Sequence, residues 1–483
     1  MISTFRVPSS FFISLFVLFG LGFSGIALGQ TVDQLSLIDL KPFKKASSSW
    51  QIVGSVQADL NKENTLIPFK GSGVLVNLPD HDKNKGEDLY TLSEYGDIDL
   101  ELEYLMALES NSGVYLQGRY EVQLIDTWGA SAIRSGSNGG IYERWDDSKP
   151  DGQKGYSGYA PRQNASRAPG LWQKLKVSFQ AARFDNTGKK VANAIMLKVE
   201  LNGVTIHDHV ELSGPTRGSI SPDDAAFGPL RIQGDHGAIA FRNIKITKFD
   251  GSRPVEKQSA NASNVDPILV DANEQTILRS FMDLPGFPRV VHAVSVGSPE
   301  KVHYTYDMDN AMIIQVWRGD FLNATPMWHN RGDGSSRPLG TVQRFGKPSQ
   351  SLTQLSNQQA TWESDTIGTG YRPKGYVIDE QGRPTFHYLK YGNKISDQVR
   401  VLDKGRGISR TLSLNSTAKN LYFRLLDAET IEEGLNGVYL IDNQSYYLRL
   451  DDAGGAKPII RNQNGRKELI IPIVKSLSYS ILF

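Results

Sequence analysis

Residues 111–126 hold the chain's densest set of side chains able to do chemistry: Asn111-Ser-Gly-Val-Tyr-Leu-Gln-Gly-Arg-Tyr-Glu-Val-Gln-Leu-Ile-Asp126. From Tyr120 onward the pattern alternates. Tyr120, Val122 and Leu124 would face one way along a strand, and Glu121 and Gln123 the other. A carboxylate and an amide two residues apart on one sheet face make a polar surface, with Arg119 before them and Asp126 after. Such a surface suits a hydroxyl-rich ligand better than a core. Arg119 carries a permanent charge that can hold a pair of hydroxyls or pair with Asp126 or Glu121. Asp126 ends the strand, as a ligand-binding group or a turn cap. Further along, His236 stands between Gly234 and Gly237. Histidine is the side chain suited to proton transfer near neutral pH, which makes His236 a candidate base or metal ligand.

The stretch 111–126 closely resembles the signature of the 3-keto-disaccharide hydrolase family, also described as 3-keto-glucoside lyase/hydratases. Four further blocks follow in order. Gly139-Gly-Ile-Tyr142 resembles the family's small-residue-plus-Tyr element, and Pro161 to Trp172 its Pro-Asn-Ala loop. Leu201-Asn-Gly-Val204 is similar to its hairpin. Gln233-Gly-Asp-His-Gly237 with Phe241-Arg-Asn-Ile244 resembles its closing motif. The resemblance spans about residues 48–250. One departure stands out: residues 138–147, with Glu143, Arg144, Trp145, Asp146 and Asp147, are heavier and more charged than the family's loop.

The resemblance implies an exported enzyme acting on an oxidised (3-keto) sugar or glycoside. The ketone at the third sugar carbon acidifies the hydrogen on the second. Removing that proton gives an enolate, which expels the aglycone, and water then adds. This route needs a base, an enolate stabiliser and an acid for the leaving oxygen. The family match puts His236, Glu121 and Arg119 in the catalytic roles. Gln123, Asp126, Tyr142, Trp128 and Gln233 become substrate-binding candidates, with the Tyr142 and Trp128 rings either stacking on sugar or packing in the core. Glu121, Asp126 and His236 also offer oxygen and imidazole donors for a divalent metal ion. No spacing such as His-x-x-x-His supports one, and His207-Asp-His209 reads as an exposed loop tip. A non-catalytic carbohydrate-binding protein of the same fold is the competing reading, since fold does not fix function.

Those residues need β-structure to position them. Ile98, Leu100, Leu102 and Tyr104 alternate with Asp97, Asp99, Glu101 and Glu103, the mark of a half-buried strand. Asn202-Gly203 between two such runs predicts a tight hairpin. Loops are expected over 127–170 and 205–230. The fold class is therefore all-β, which the resemblance sharpens to a concanavalin-like jelly-roll β-sandwich over 30–250. Residues 251–275 read as a linker, and 276–483 as a second β-rich sandwich domain. There His303, Trp317, Trp328, His329, Arg331 and His387 would line a sugar subsite or pack a core. This region is weakly similar to β-rich modules attached to exported sugar-oxidising proteins. One reading makes it an interaction module that docks the enzyme to a surface complex or to a partner oxidoreductase that makes the ketone.

The 483 residues contain no cysteine, so disulfides, thiolate metal sites and c-type haem attachment are excluded. A net charge of +1, without a basic stripe, gives no footprint for nucleic acid. Residues 1–29 read as a secretory signal: Arg6, an apolar run over 11–28, then Ala27-Leu-Gly29 before Gln30. The mature protein is expected in the periplasm or outside the cell, with no integral membrane span after cleavage.

Overall fold

The computed structural model describes residues 30–80, 85–249, 265–363, 365–417 and 419–483. The expected signal at 1–29 and the linker's residues 251–264 lie outside the described residues. The remainder is all-β; its one α-helix among the described residues is the four-residue Thr325–Trp328. No helix among the described residues is long and apolar enough to cross a membrane.

The N-terminal unit is built from two facing antiparallel sheets. In the larger, Ile98–Met106 lies between Gln173–Gln180 and Ile239–Phe249. The smaller sheet runs Leu89–Tyr95, Gly228–Ile232, Asn111–Leu116, Tyr120–Ile125. The core lies between them. Ile98, Leu100, Leu102 and Tyr104 from one sheet meet Val114, Tyr120, Val122 and Leu124 from the other. The alternation that marks these strands in the sequence thus sorts apolar side chains inward. Asn202 and Gly203 both adopt positive φ and join Ala194–Leu201 to Val204–Leu212. That strand corrects the loop expected over 205–230, whose first eight residues are strand. His207 is no loop tip either. It is 6 % exposed, and its Nε2 lies 2.9 Å from the Gly139 carbonyl oxygen.

In the C-terminal unit three sheets enclose one core, to which Val294, Tyr304, Phe386, Ile408, Phe423 and Tyr479 contribute. Leu269–Val270, within the stretch read as a linker, pairs with Met312–Asn323. His303 and Trp317 are fully buried and stack with Phe321, so they pack the interior rather than line a subsite.

The two units are joined by more than the chain. The 161–172 loop of the first is held by the second. Gln163 donates to the Leu339 carbonyl at 2.7 Å and accepts the Asp320 N–H at 2.6 Å. The Trp172 indole donates to Gln444 at 2.9 Å, and the Tyr447 hydroxyl to the Pro169 carbonyl at 2.9 Å. Ala168 and Leu171 pack with Val438, Leu440, Tyr447 and Leu482.

Candidate active site

The outer face of the smaller sheet carries a ladder of polar side chains. Tyr90 is in register with Arg231, Arg231 with Tyr115, and Tyr115 with Glu121. One residue from each of four strands therefore lines up across the sheet. Glu121 ends the row and is 2 % exposed. The space its carboxyl fills exists because residue 113 is glycine: a Cβ there would lie 2.2 Å from Glu121 Oε1.

Burial sets the electrostatics. Desolvation raises the Glu121 carboxyl to about 8. The Tyr115 hydroxyl facing it and the Arg231 charge pull the other way, while Asp88 and Asp235 add to the rise. Tyr115, itself buried and facing this carboxylate, is held above the usual tyrosine range. Arg231 pairs with Asp88 at 2.6 Å and lies 4.2 Å from the centre of the Tyr115 ring. It also donates to the Gly218 carbonyl, while its buried Nε has no acceptor in the protein.

Next to this ladder runs a second row. Gln123 lies opposite Gly113, whose carbonyl accepts the Gln233 N–H at 2.9 Å. Gln123 is 5 % exposed and donates to Asn111 at 2.5 Å. The polar face expected on this strand is therefore roofed, not wet. The Gln233 amide reaches His236 Nδ1 at 3.3 Å, and the same nitrogen contacts the Asp235 carboxylate. His236 is half exposed, at the rim. Tyr142 lies close by through its backbone, its N–H donating to the Glu121 carbonyl at 3.1 Å.

Three of the expected residues fall outside this group. Arg119 follows the turn at Gln117 and Gly118. It donates to the Asp223 carbonyl at 2.7 Å and the Gln117 carbonyl at 2.9 Å, so it braces a loop. Asp126 accepts the N–H groups of Glu109 at 3.0 Å and Trp128 at 2.9 Å, the turn-cap alternative, and burial raises its pKa. Trp128 packs at the junction of the two units with Arg406 over its ring. The donor set Glu121, Asp126 and His236 is consequently not assembled. Among the described residues no group of three or more His, Asp or Glu side chains is placed to hold a metal ion.

Sequence reasoning missed Tyr90, Tyr115, Arg231 and Asp88. Tyr115 was within reach, since it alternates with Val114 and Leu116 two positions from Gly113. Arg231 sits between Leu230 and Ile232 in the same way, but its register against Tyr115 spans more than a hundred residues.

Residues 41–247 match the family model of the 3-keto-alpha-glucoside-1,2-lyase-like domain. The N-terminal unit is a domain of this family. The match makes it a carbohydrate-active enzyme domain that acts on glycosides. Among solved structures, the chain resembles proteins from Parabacteroides distasonis ATCC 8503 that are provisionally named glycosyl hydrolases. One is 27% identical over 44% of this chain and 83% of its own, with a TM-score of 0.30. Another is 20% identical over 41% and 98%, with a TM-score of 0.25. No curated protein matches the chain. In this lyase-like domain the 161–172 loop is the segment gripped by the C-terminal unit.

Proposed function

We propose that the N-terminal unit cleaves a 3-keto-glycoside by elimination and hydration, with Glu121 as the proton donor. The observation that carries this reading is a buried carboxyl whose pKa, about 8, keeps it protonated at neutral pH. A group in that state delivers a proton to a leaving oxygen. His236, at the rim with Asp235 against its Nδ1, suits the opposite task. It takes the proton from the second sugar carbon. The electron pair of that carbon–hydrogen bond passes into the enolate of the neighbouring ketone, and the collapse of the enolate forms the double bond between the second and first carbons. The bond to the aglycone oxygen breaks, and that oxygen takes the Glu121 proton. Arg231 supplies the positive field for the transient enolate. Water then adds across the double bond, hydroxyl to the first carbon and hydrogen to the second. The sum is hydrolysis.

The buried Gln123 and half-buried Asn111 amides, and Gln233 beside His236, would hold ring hydroxyls. Export through residues 1–29 belongs to the same proposal, and would leave a mature chain that begins at Gln30. The test uses the purified full-length mature chain with methyl 3-keto-glucoside and with its unoxidised parent. Release of methanol and an enone absorbance from the keto form alone are expected. Equal rates on both, or none on either, would sink the proposal.

A further inference from the structure

Residues 142–159 form a finger that continues the sheet of the site. Val122 bridges to Ile141, and Ile141 to Tyr159. Beyond these bridges the chain closes in a short hairpin, Arg144–Trp145 paired with Gly155–Tyr156. The 216–217 segment ties this finger to the proton donor. The Thr216 hydroxyl accepts the Glu121 N–H at 3.1 Å. The Arg217 carbonyl oxygen lies 3.4 Å from the Tyr115 hydroxyl, and its N–H donates to the Glu143 carbonyl at 2.8 Å. The Arg217 guanidinium lies 3.7 Å from the centre of the Trp145 ring. A single residue, Arg217, therefore connects the Tyr115–Glu121 pair to Trp145.

The surface so placed is aromatic. Tyr156 lies under Lys149 at 4.1 Å and Arg144 at 5.2 Å, and Tyr159 is 37 % exposed. Its charges nearly cancel, with Glu143, Asp146, Asp147 and Asp151 against Arg144, Lys149 and Lys154. An ionic ligand has nothing to gain there. Several of the polar groups beside Trp145 already have partners within the finger or its neighbours. The indole N–H is on Asp147 at 2.9 Å, the Arg144 guanidinium on Ser213 at 3.2 Å, and the Ser148 hydroxyl on Asp146 at 2.6 Å. The half-exposed Trp145 and Tyr156 rings with their stacked cations are an arrangement that receives another aromatic ring.

We propose that this finger is an aglycone subsite built for an aryl group, with Trp145 and Tyr156 as its specificity-determining residues. The proposal rests on the reading of Glu121 as the acid that protonates the leaving oxygen. A phenol held against Trp145 would leave with its oxygen directed back toward Glu121.

Two measurements on the full-length mature chain test it. The first compares kcat/KM for phenyl, methyl and glucosyl 3-keto-glucosides in the wild type, Trp145→Ala, Trp145→Phe and Tyr156→Ala. The phenyl-to-methyl ratio should favour phenyl. It should fall roughly tenfold in W145A, the scale of lost ring stacking, and recover in W145F. The second titrates unoxidised phenyl and methyl glucosides calorimetrically, which needs no turnover. Phenyl should bind more tightly in the wild type, and W145A should abolish the difference. A ratio that W145A leaves unchanged, or a preference for the glucosyl substrate, overturns the subsite and leaves the proposed function standing. Trp145-dependent phenyl binding without turnover of any keto-glycoside supports the subsite and removes the proposed function. Neither binding nor turnover overturns both.

Discussion

Tyr115 and Glu121 face one another on adjacent antiparallel strands, and the tyrosine hydroxyl draws the Glu121 pKa down against the desolvation that raises it. That pairing fixes the acid from one side while Gly113 leaves room for it from another. Replacing Glu121 by Gln keeps the shape and the neutral charge of the protonated acid but removes the proton to be delivered. Turnover of a 3-keto-glucoside should fall about 10²–10⁴-fold, the usual worth of a positioned acid. The melting temperature near pH 4, where the unfolded chain holds the same proton, should barely move. Full activity in E121Q would take Glu121 out of the chemistry.

Gly113→Ala asks whether position, rather than identity, matters. The new Cβ would meet the movable end of the Glu121 side chain, 2.2 Å from Oε1. The fold should therefore tolerate it at about 1–3 kcal/mol, while the carboxyl is pushed from its place. Activity should drop almost as far as in E121Q. An alanine variant with unchanged kcat would show that the acid need not sit where it is seen.

The raised pKa also has a signature in stability. Glu121 goes from 4.5, its ordinary value, to about 8 in the folded protein. The native state thus holds a proton that the unfolded chain releases, so stability falls as pH rises between those values. The whole penalty is in place above pH 8 and absent below about 4.5. At about 1.4 kcal/mol per unit it amounts to roughly 4–5 kcal/mol as an upper figure. Denaturant titrations at pH 5 and pH 9 should show E121Q gaining on the wild type as pH rises. A constant difference between them would contradict the shift.

Much of this site was legible from the alternation of residues 111–126 and the Gln233–His236 motif. Glu121 and Gln123 share a face because strand geometry demands it. Arg119 and Asp126 misled because they are close in sequence yet stand where the strand has ended, one beyond a tight turn and one capping the next. Arg231 and Asp88 were hidden for the opposite reason. They reach Glu121 only through the order in which distant strands pair, which a single sequence's periodicity does not encode. The strand after Asn202-Gly203 was expected, but its extent to Leu212 was hidden because His207, Asp208 and His209 break its apolar pattern, although His207 is buried.

Asp88 and Arg231 act on Glu121 with opposite sign, Asp88 raising its pKa and Arg231 lowering it. Asp88→Asn should therefore shift the Glu121 limb of the pH–rate profile to lower pH. Arg231→Met should shift it upward. The two are paired at 2.6 Å and mostly buried, so each single change should also cost about 3–5 kcal/mol. Profiles moving in the same direction for both variants would rule out a field effect on Glu121.

The junction between the units carries the last prediction. Ala168 and Leu171 are buried against Val438, Leu440, Tyr447 and Leu482, and Gln163, Arg167 and Trp172 spend their polar atoms across the same boundary. The 161–172 loop also reaches the site sheet. Ser166 accepts from Asn138 at 2.9 Å, and neighbouring Gly139 donates to the Gln123 carbonyl at 2.7 Å. Ending the chain after Asp250 would bare this apolar patch and free the loop. The truncated protein should melt at lower temperature and show a higher KM, because Gln123 loses its support. Tyr447→Phe in the full chain removes only the hydrogen bond to Pro169, at about 1 kcal/mol, and should reproduce a small part of the effect. A truncated unit with unaltered melting temperature and KM would show instead that the C-terminal unit rides on a self-sufficient enzyme.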